Sequence, residues 1–265
     1  MLCCQGFEVK NYDFTLGRLA YESLRLVQNP GVNTLKKTEC NQRVLLFVRY
    51  PEKGRVKTRL STHLEQETIL SLYRHFVEDI LATLQRSGYP FTICYLPSEK
   101  GGRMKAWLGA AFAYLPQTGD DLGKRMGNAF TKTFTTSPPR VEQAILLGSD
   151  SPDLDPEILD QAFDSLSRND VTLGPAADGG YYLIGFNRHT FFKEAFTGIS
   201  WGTGRVLTET LHTIEDAGLR VHILPEWRDI DTFEDLELFY RRANEKRVEH
   251  LKTMQYLHTI LARNQ

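Results

Sequence analysis

From Arg43 onward, short runs rich in Val, Ile and Leu alternate with longer stretches whose apolar residues recur at helical spacing. That alternation restricts the fold more than any other feature of the chain. The runs Arg43–Arg49, Phe91–Leu96, Ala111–Leu115, Gln143–Gly148, Val171–Gly174, Tyr181–Phe186 and Leu219–Leu224 read as strands. Glu65–Arg86, Gly119–Thr133, Pro156–Ser167, His189–Ala195, Thr203–Ala217 and Thr232–Ala262 read as helices. The pattern predicts an α/β fold, a mixed and mostly parallel sheet with helices on both faces. The last helix opens on Thr232 with Asp235 three residues on, a variant of the capping box. Its apolar positions Leu236, Phe239, Val248, Leu251, Met254 and Leu257 run well past ordinary helix length. That surplus packs either on the domain or on a second copy, giving a homodimer through the C-terminal helix; the sequence leaves both open.

Residues 1–41 read as an N-terminal extension, partly helical or mobile. Asp13–Gln28 carries Phe14, Leu16, Leu19, Leu24 and Val27 at roughly helical spacing, and Asn29-Pro30-Gly31 stops it. Residues 42–265 are expected to form a single domain ending in a long helical segment. The 265 residues hold 32 Lys+Arg against 33 Asp+Glu, a net charge of −1, which excludes a general binder of nucleic acid or membrane surfaces. No apolar run approaches the ~20 residues of a membrane span. Cys3, Cys4, Cys40 and Cys94 form no CxxC pair, and the first residues lack a basic segment followed by an apolar core. The expected location is therefore cytoplasmic, with reduced thiols.

Four segments carry chemistry. Directly after the first strand, Pro51–Leu60 places Lys53, Arg55, Lys57 and Arg59 around Gly54, with Arg49 just ahead. In a parallel sheet this loop lies at the carboxyl edge, where open α/β folds bind ligands. Forked guanidinium donors and mobile ammonium groups suit a di- or triphosphate, although the spacing is not that of a Walker A loop. Alone, the loop reads equally well as a solvated basic turn. The second segment, Ile145–Leu154, brings Asp150 to the same edge as an oxygen ligand for Mg²⁺ or Mn²⁺. Asp153 there either reaches the cavity or caps the helix starting near Pro156. The third, Gly174–Tyr182, sets Asp178, Gly179 and Gly180 either against a ligand or in a plain hairpin turn. The fourth, Arg228–Thr232, turns Asp229 and Asp231 to one side if extended; one is then free to reach a metal while the other caps the helix or holds an arginine.

Weaker signals come from Gln117–Met126, whose Gln117, Gly119 and Asp121 suit phosphate or base, and from Ser200–Gly204. In the latter, Trp201 can stack on a sugar or acceptor, with Thr203 beside it. His63, His75 and His189 show no ligand spacing.

In this order, the blocks PEKGRVKTRL, QTGDDLGKRM, LLGSDSPDL, GPAADGGYYLIGF, SWGTGRVL and DIDTFEDL make residues 43–240 resemble the glycosyltransferase-like family of nucleotide-diphospho-sugar transferase fold. Its members are often labelled arsenosugar-biosynthesis glycosyltransferases. The chain is also similar, more distantly, to 2-phospholactate guanylyltransferase and molybdenum-cofactor nucleotidyltransferases. The resemblance implies a Rossmann-like GT-A domain with a mixed sheet of about seven strands; residues 1–41 depart from the family pattern. In the distant nucleotidyltransferases the basic loop cradles the triphosphate, a role that falls here on Lys57 and Arg59. The Gly-Ser-Asp carboxylate and a late aspartate hold the metal, implying Asp150 and Asp231. The expected function is metal-dependent nucleotidyl transfer from an NTP to a small phosphorylated or sugar-like acceptor, with pyrophosphate release. Lys57, Arg59 and Asp178 are its candidate catalytic residues. Asp178, Gly179, Gly180, Trp201 and Thr203 are the candidate acceptor contacts. The alternative is glycosyl transfer from an NDP-sugar. A non-catalytic nucleotide-binding protein ranks last, because Lys57, Arg59, Asp150 and Asp231 are all present.

Overall fold

In a computed structural model of the chain, the residues described are 41–136, 140–245, 248 and 250–263. The Asp13–Gln28 helix, Cys3, Cys4 and Cys40 lie outside them. Seven strands form one sheet: β1 (Gln42–Arg49), β2 (Phe91–Leu96), β3 (Ala113–Pro116), β4 (Gln143–Leu147), β5 (Val171–Pro175), β6 (Tyr181–Asn187) and β7 (Val221–Ile223). Their order is β3-β2-β1-β4-β6-β5-β7. All neighbours are parallel except β6, which runs antiparallel to both β4 and β5. The helices are α1 (Gln66–Ser87), α2 (Gly101–Leu108), α3 (Leu122–Thr136), α4 (Pro156–Leu166), α5 (Val206–Asp216), α6 (Phe233–Glu245) and α7 (Lys252–Arg263).

The alternation within β1 explains the layering. Val44, Leu46 and Val48 face one way and join α1, α2 and α4 in one buried cluster. Leu45 faces the other way, into a second cluster with Met126 and Phe130 of α3 and Ile214 of α5. Helix α1 is buried on two sides. Its Tyr73, Val77, Ile80 and Leu84 pack on the sheet, while Leu72 and Phe76 meet Leu236 and Phe239 of α6 and Met254 and Leu257 of α7. The apolar surplus of the C-terminal segment is thus spent on α1 of the same chain.

Three element assignments differ from the sequence pattern. Thr232–Ala262 is two helices, because the carboxylate of Asp79 in α1 restarts the second one. It accepts from the backbone N–H of Lys252 and of Thr253, both at 2.9 Å, and from the Thr253 hydroxyl at 2.7 Å. His189–Ala195 is a turn leading to a short 3₁₀ segment, Lys193–Phe196, since Phe191, Phe192, Ala195 and Phe196 all pack into the second cluster. Helix α2, Gly101–Leu108, has no counterpart among the helices read from the sequence; a Cβ on Gly101 would stand 2.5 Å from the Tyr95 hydroxyl. No described helix is long and apolar enough to cross a membrane.

Replacing Asp79 with Ala strands three donors at a buried helix start. The variant should lose about 1–3 kcal/mol of stability in urea denaturation; an unchanged midpoint would show that α7 holds without its cap.

Candidate active site

The strand order turns back between β1 and β4: the chain leaves β1 towards β2 and β3 on one side, and β4 opens the other half of the sheet. Loops after these two strands diverge and leave a crevice at the carboxyl edge. The loop after β1, the loop after β4, the β5–β6 turn and the segment before α6 all line a single cleft there, of about 650 Å³.

The basic loop is pinned at two apolar points. Val56 and Leu60 are buried, so the chain between them cannot lie flat on the surface. Lys57 takes φ 45° and ψ 44°, the only positive φ of a non-glycine residue among those described. This aims its side chain inward, where it is only 4% exposed. Its Nζ lies 2.8 Å from Asp150 Oδ1 and 2.7 Å from Asp231 Oδ1. Burial works to neutralise the ammonium, but the two carboxylates outweigh it and hold its pKa above the ordinary lysine range. Arg59 Nη1 approaches the other Asp231 oxygen at 3.6 Å while staying 65% exposed. Backbone bonding adds a second tie, from Ile230 N–H to the Asp150 carbonyl at 3.0 Å.

Beside this pair, Ser151 donates to Asp229 Oδ1 at 2.5 Å. Burial, and then the nearby Asp150 charge, push the Asp229 carboxyl up to about 7 against that hydrogen bond. Asp229 and Asp231 do share a cleft, but the helix cap falls to Asp235, which accepts from Thr232 N–H at 2.9 Å. Asp153 takes neither role expected of it. It accepts from Trp227 Nε1 at 3.2 Å and pairs with Arg242 at 2.7 Å, and Asp155 caps α4.

The cleft is lined by Arg49, Arg55, Lys57, Arg59, Gln117, Asp150, Asp178, Gly180, Trp201, Thr203 and Asp231 of the sequence-derived set. Lys53, Gly54, Gly119, Asp121 and Gly179 are not in the lining. Lys53 instead pairs with Glu67. Gly54 holds φ 68° and donates to Gln66 Oε1 at 3.0 Å. Asp121 caps α3 through Lys124 N–H at 2.7 Å. Gly119 turns the chain at φ 129° beneath Arg125, whose Nε donates to its carbonyl at 3.1 Å. Gln117 faces the cleft while its amide nitrogen donates to the Cys94 carbonyl at 2.7 Å.

The opposite wall is built from backbone contact. Asp178-Gly179-Gly180 is the β5–β6 hairpin turn, with Asp178 Oδ1 accepting from Gly180 N–H at 2.9 Å. Gly179 at φ 86° leaves no room for a Cβ, which would fall 2.3 Å from the Gly204 carbonyl oxygen. Its own carbonyl accepts from Leu207 N–H at 2.9 Å, tying the hairpin to the start of α5. Trp201 packs against Gly123 of α3 and meets the Tyr181 ring edge-on at 6.4 Å.

Tyr73 and Arg125 also line the cleft, and sequence reasoning assigned neither a role. The Tyr73 hydroxyl accepts from Arg49 N–H at 2.9 Å and donates to the Arg49 carbonyl at 3.0 Å, fixing the end of β1. Burial, then the Asp150 charge, raise its phenol to about 12. Its helical position reads as core, and no local signal marks it. Arg125 lies in the QTGDDLGKRM stretch, where its charge close to Gly119 is the available signal.

The chain is 39% identical to a "putative nucleotide-diphospho-sugar transferase" from Desulfovibrio desulfuricans G20, over 84% of this chain and 96% of that one, with a TM-score of 0.79. It belongs to this nucleotide-diphospho-sugar transferase family. Residues 80–203 also match the family described as an uncharacterized protein conserved in bacteria, DUF2064. Two solved structures share the transferase fold at low identity. A nucleotidyl transferase from Methanothermobacter thermautotrophicus is 11% identical over 78% of this chain and 99% of that one, with a TM-score of 0.54. The 4-diphosphocytidyl-2C-methyl-D-erythritol synthase of Anaerococcus prevotii is 10% identical over 74% and 95%, at 0.50. No curated protein matches the chain.

The Gly179–Gly204 approach gives this family member a sharp test. Gly179→Ala combines a left-handed backbone with a backbone clash and should cost at least about 1–2 kcal/mol in urea denaturation. A wild-type midpoint would mean that the two loops are free to separate.

Proposed function

We propose that this protein is a metal-dependent nucleotidyltransferase, transferring a nucleotidyl group from an NTP to a small phosphorylated or sugar-like acceptor and releasing pyrophosphate. The observation that carries the reading is the gathering of Arg49, Arg55, Lys57, Arg59 and Arg125 around Asp150 and Asp231 in one cleft. That is more cationic capacity than a diphosphate leaving group needs, and it suits a triphosphate.

The residues fit a hard divalent cation. Asp150 Oδ1 and Asp231 Oδ1 already converge on one ammonium nitrogen, so both reach a common point. Among the described residues no group of three His, Cys, Asp or Glu side chains could hold an ion. A two-carboxylate site whose remaining positions go to substrate phosphates and water is the usual arrangement for Mg²⁺. Bound there, Mg²⁺ or Mn²⁺ would supply charge neutralisation at the reacting phosphate. The chain's own work is positioning. Arg55, Lys57 and Arg59 hold the outgoing phosphates, Arg49 and Gln117 border the nucleoside side, and Asp178, Gly180, Trp201 and Thr203 orient the acceptor. In-line displacement at the α-phosphorus asks little more of a protein than alignment and fixed charge.

Glycosyl transfer from an NDP-sugar is the second reading. It is favoured by the wall of Asp178, Trp201 and Thr203, and by the likeness to the 39%-identical "putative nucleotide-diphospho-sugar transferase". Thermal-shift measurements with Mg²⁺ or Mn²⁺ separate the two. Under the nucleotidyl reading one NTP stabilises the protein by about 2.7 kcal/mol at a hundred times its dissociation constant, and NDP-sugars do less. Preference for an NDP-sugar selects glycosyl transfer. Asp150→Asn should keep the fold and lower turnover of the preferred substrate by ~10²-fold or more, measured as release of pyrophosphate or NDP; wild-type turnover by that variant would sink the metal assignment.

A further inference from the structure

Lys57 stands where a cation is wanted. Its Nζ contacts Asp150 Oδ1 at 2.8 Å and Asp231 Oδ1 at 2.7 Å, so any ion bridging those two oxygens must take the space the ammonium fills. The residue is held there by its neighbours rather than by its own preference. Val56 and Leu60 anchor the loop in the core, and the backbone between them adopts a left-handed conformation that L residues disfavour. A surface lysine with these carboxylates would fluctuate; this one is 4% exposed.

We propose that Lys57 is a resident, exchangeable cation: it occupies the Asp150–Asp231 pair in the free protein, competes with the divalent ion for it, and swings onto the phosphates of the substrate when that ion enters. Its position after exchange rests on the nucleotide reading above, whereas the competition itself does not. Electrostatics supports the exchange. An ammonium and a divalent ion cannot share two carboxylate oxygens without strong like-charge repulsion, and Lys57 remains charged as it leaves. Beyond this cluster the cleft lining holds two further carboxylates, Asp178 and the Ser151-bonded Asp229, against four arginines, so a displaced ammonium needs an anion brought by the ligand. Metal and triphosphate would then each improve the site for the other, as linkage requires.

The test is a Mn²⁺ titration of the nucleotide-free, full-length protein by calorimetry or electron paramagnetic resonance, comparing wild type with Lys57→Met and Lys57→Gly. Glycine accepts the positive φ, so the second variant keeps the loop even if methionine disturbs it. Removing a competitor that occupies the site nine-tenths of the time or more raises apparent affinity by about tenfold or more. Both variants should therefore bind Mn²⁺ at least ~10-fold more tightly than wild type, and Asp231→Asn added to either should erase the gain. Equal or weaker Mn²⁺ binding by the variants, or none in any of the three proteins, overturns the proposal. Because no nucleotide is present, a failure here is distinct from a failure of the transferase reading, which the NTP panel reports.

Discussion

A charged amine can be buried only if it is matched, and matching Lys57 fixes the relation among three parts of the chain that lie far apart in sequence. The loop after β1 supplies the ammonium, the loop after β4 supplies Asp150, and the segment before α6 supplies Asp231, 174 residues from its partner. The Ile230 hydrogen bond to the Asp150 carbonyl closes the remaining side. Removing Lys57 leaves two carboxylates facing each other with only the exposed Arg59 nearby, whereas removing either aspartate leaves the ammonium a single partner. The floor of the cleft is therefore a structural unit as much as a chemical one.

That unit exists because of the sheet. A reversal of strand order between β1 and β4 opens a crevice at their carboxyl ends, and the antiparallel insertion of β6 brings the β5–β6 turn to the same edge. A wholly parallel arrangement would carry the strand after β5 to that position only by way of a crossover, with no tight turn to present Asp178. The third layer matters too. Helix α1, covered by α6 and α7, is rigid enough for Tyr73 to hold both backbone groups of Arg49.

The elements with strong periodicity were legible in the sequence: the strands, α1, α4, α5 and the capping box of α6. So were the blocks that carry the family resemblance, because charge, glycine and apolar runs in fixed order are local signals. What escaped was non-local. Asp79 restarts a helix that its own sequence would continue, from a position 173 residues away. Helix α2 opens on Gly101, where the Tyr95 hydroxyl leaves no space for a Cβ, a contact the local sequence does not show. Asp153 looks like a ligand or a cap, and only the fold brings Trp227 and Arg242 to it. Gly119, Asp121 and Gly179 lie in blocks read as nucleotide or acceptor contacts, yet their visible work is on the protein's own backbone, in a turn, a helix cap and a loop-to-loop contact.

The division between fixed and free cations bears on how such a cleft selects its ligand. Lys57 is buried and doubly paired, whereas Arg59 is 65% exposed and makes one long contact. Ordering an exposed arginine costs side-chain entropy at the moment of binding, while Lys57 starts from an ordered position and exchanges one set of oxygens for another. Under the proposed nucleotide reading, a ligand carrying a single phosphate meets only the rim and must order it for little return. One with several phosphates spans rim and floor together and spreads that cost over more charge-assisted contacts. Discrimination by phosphate number would then follow from the burial gradient along one ten-residue loop, set by where Val56 and Leu60 enter the core.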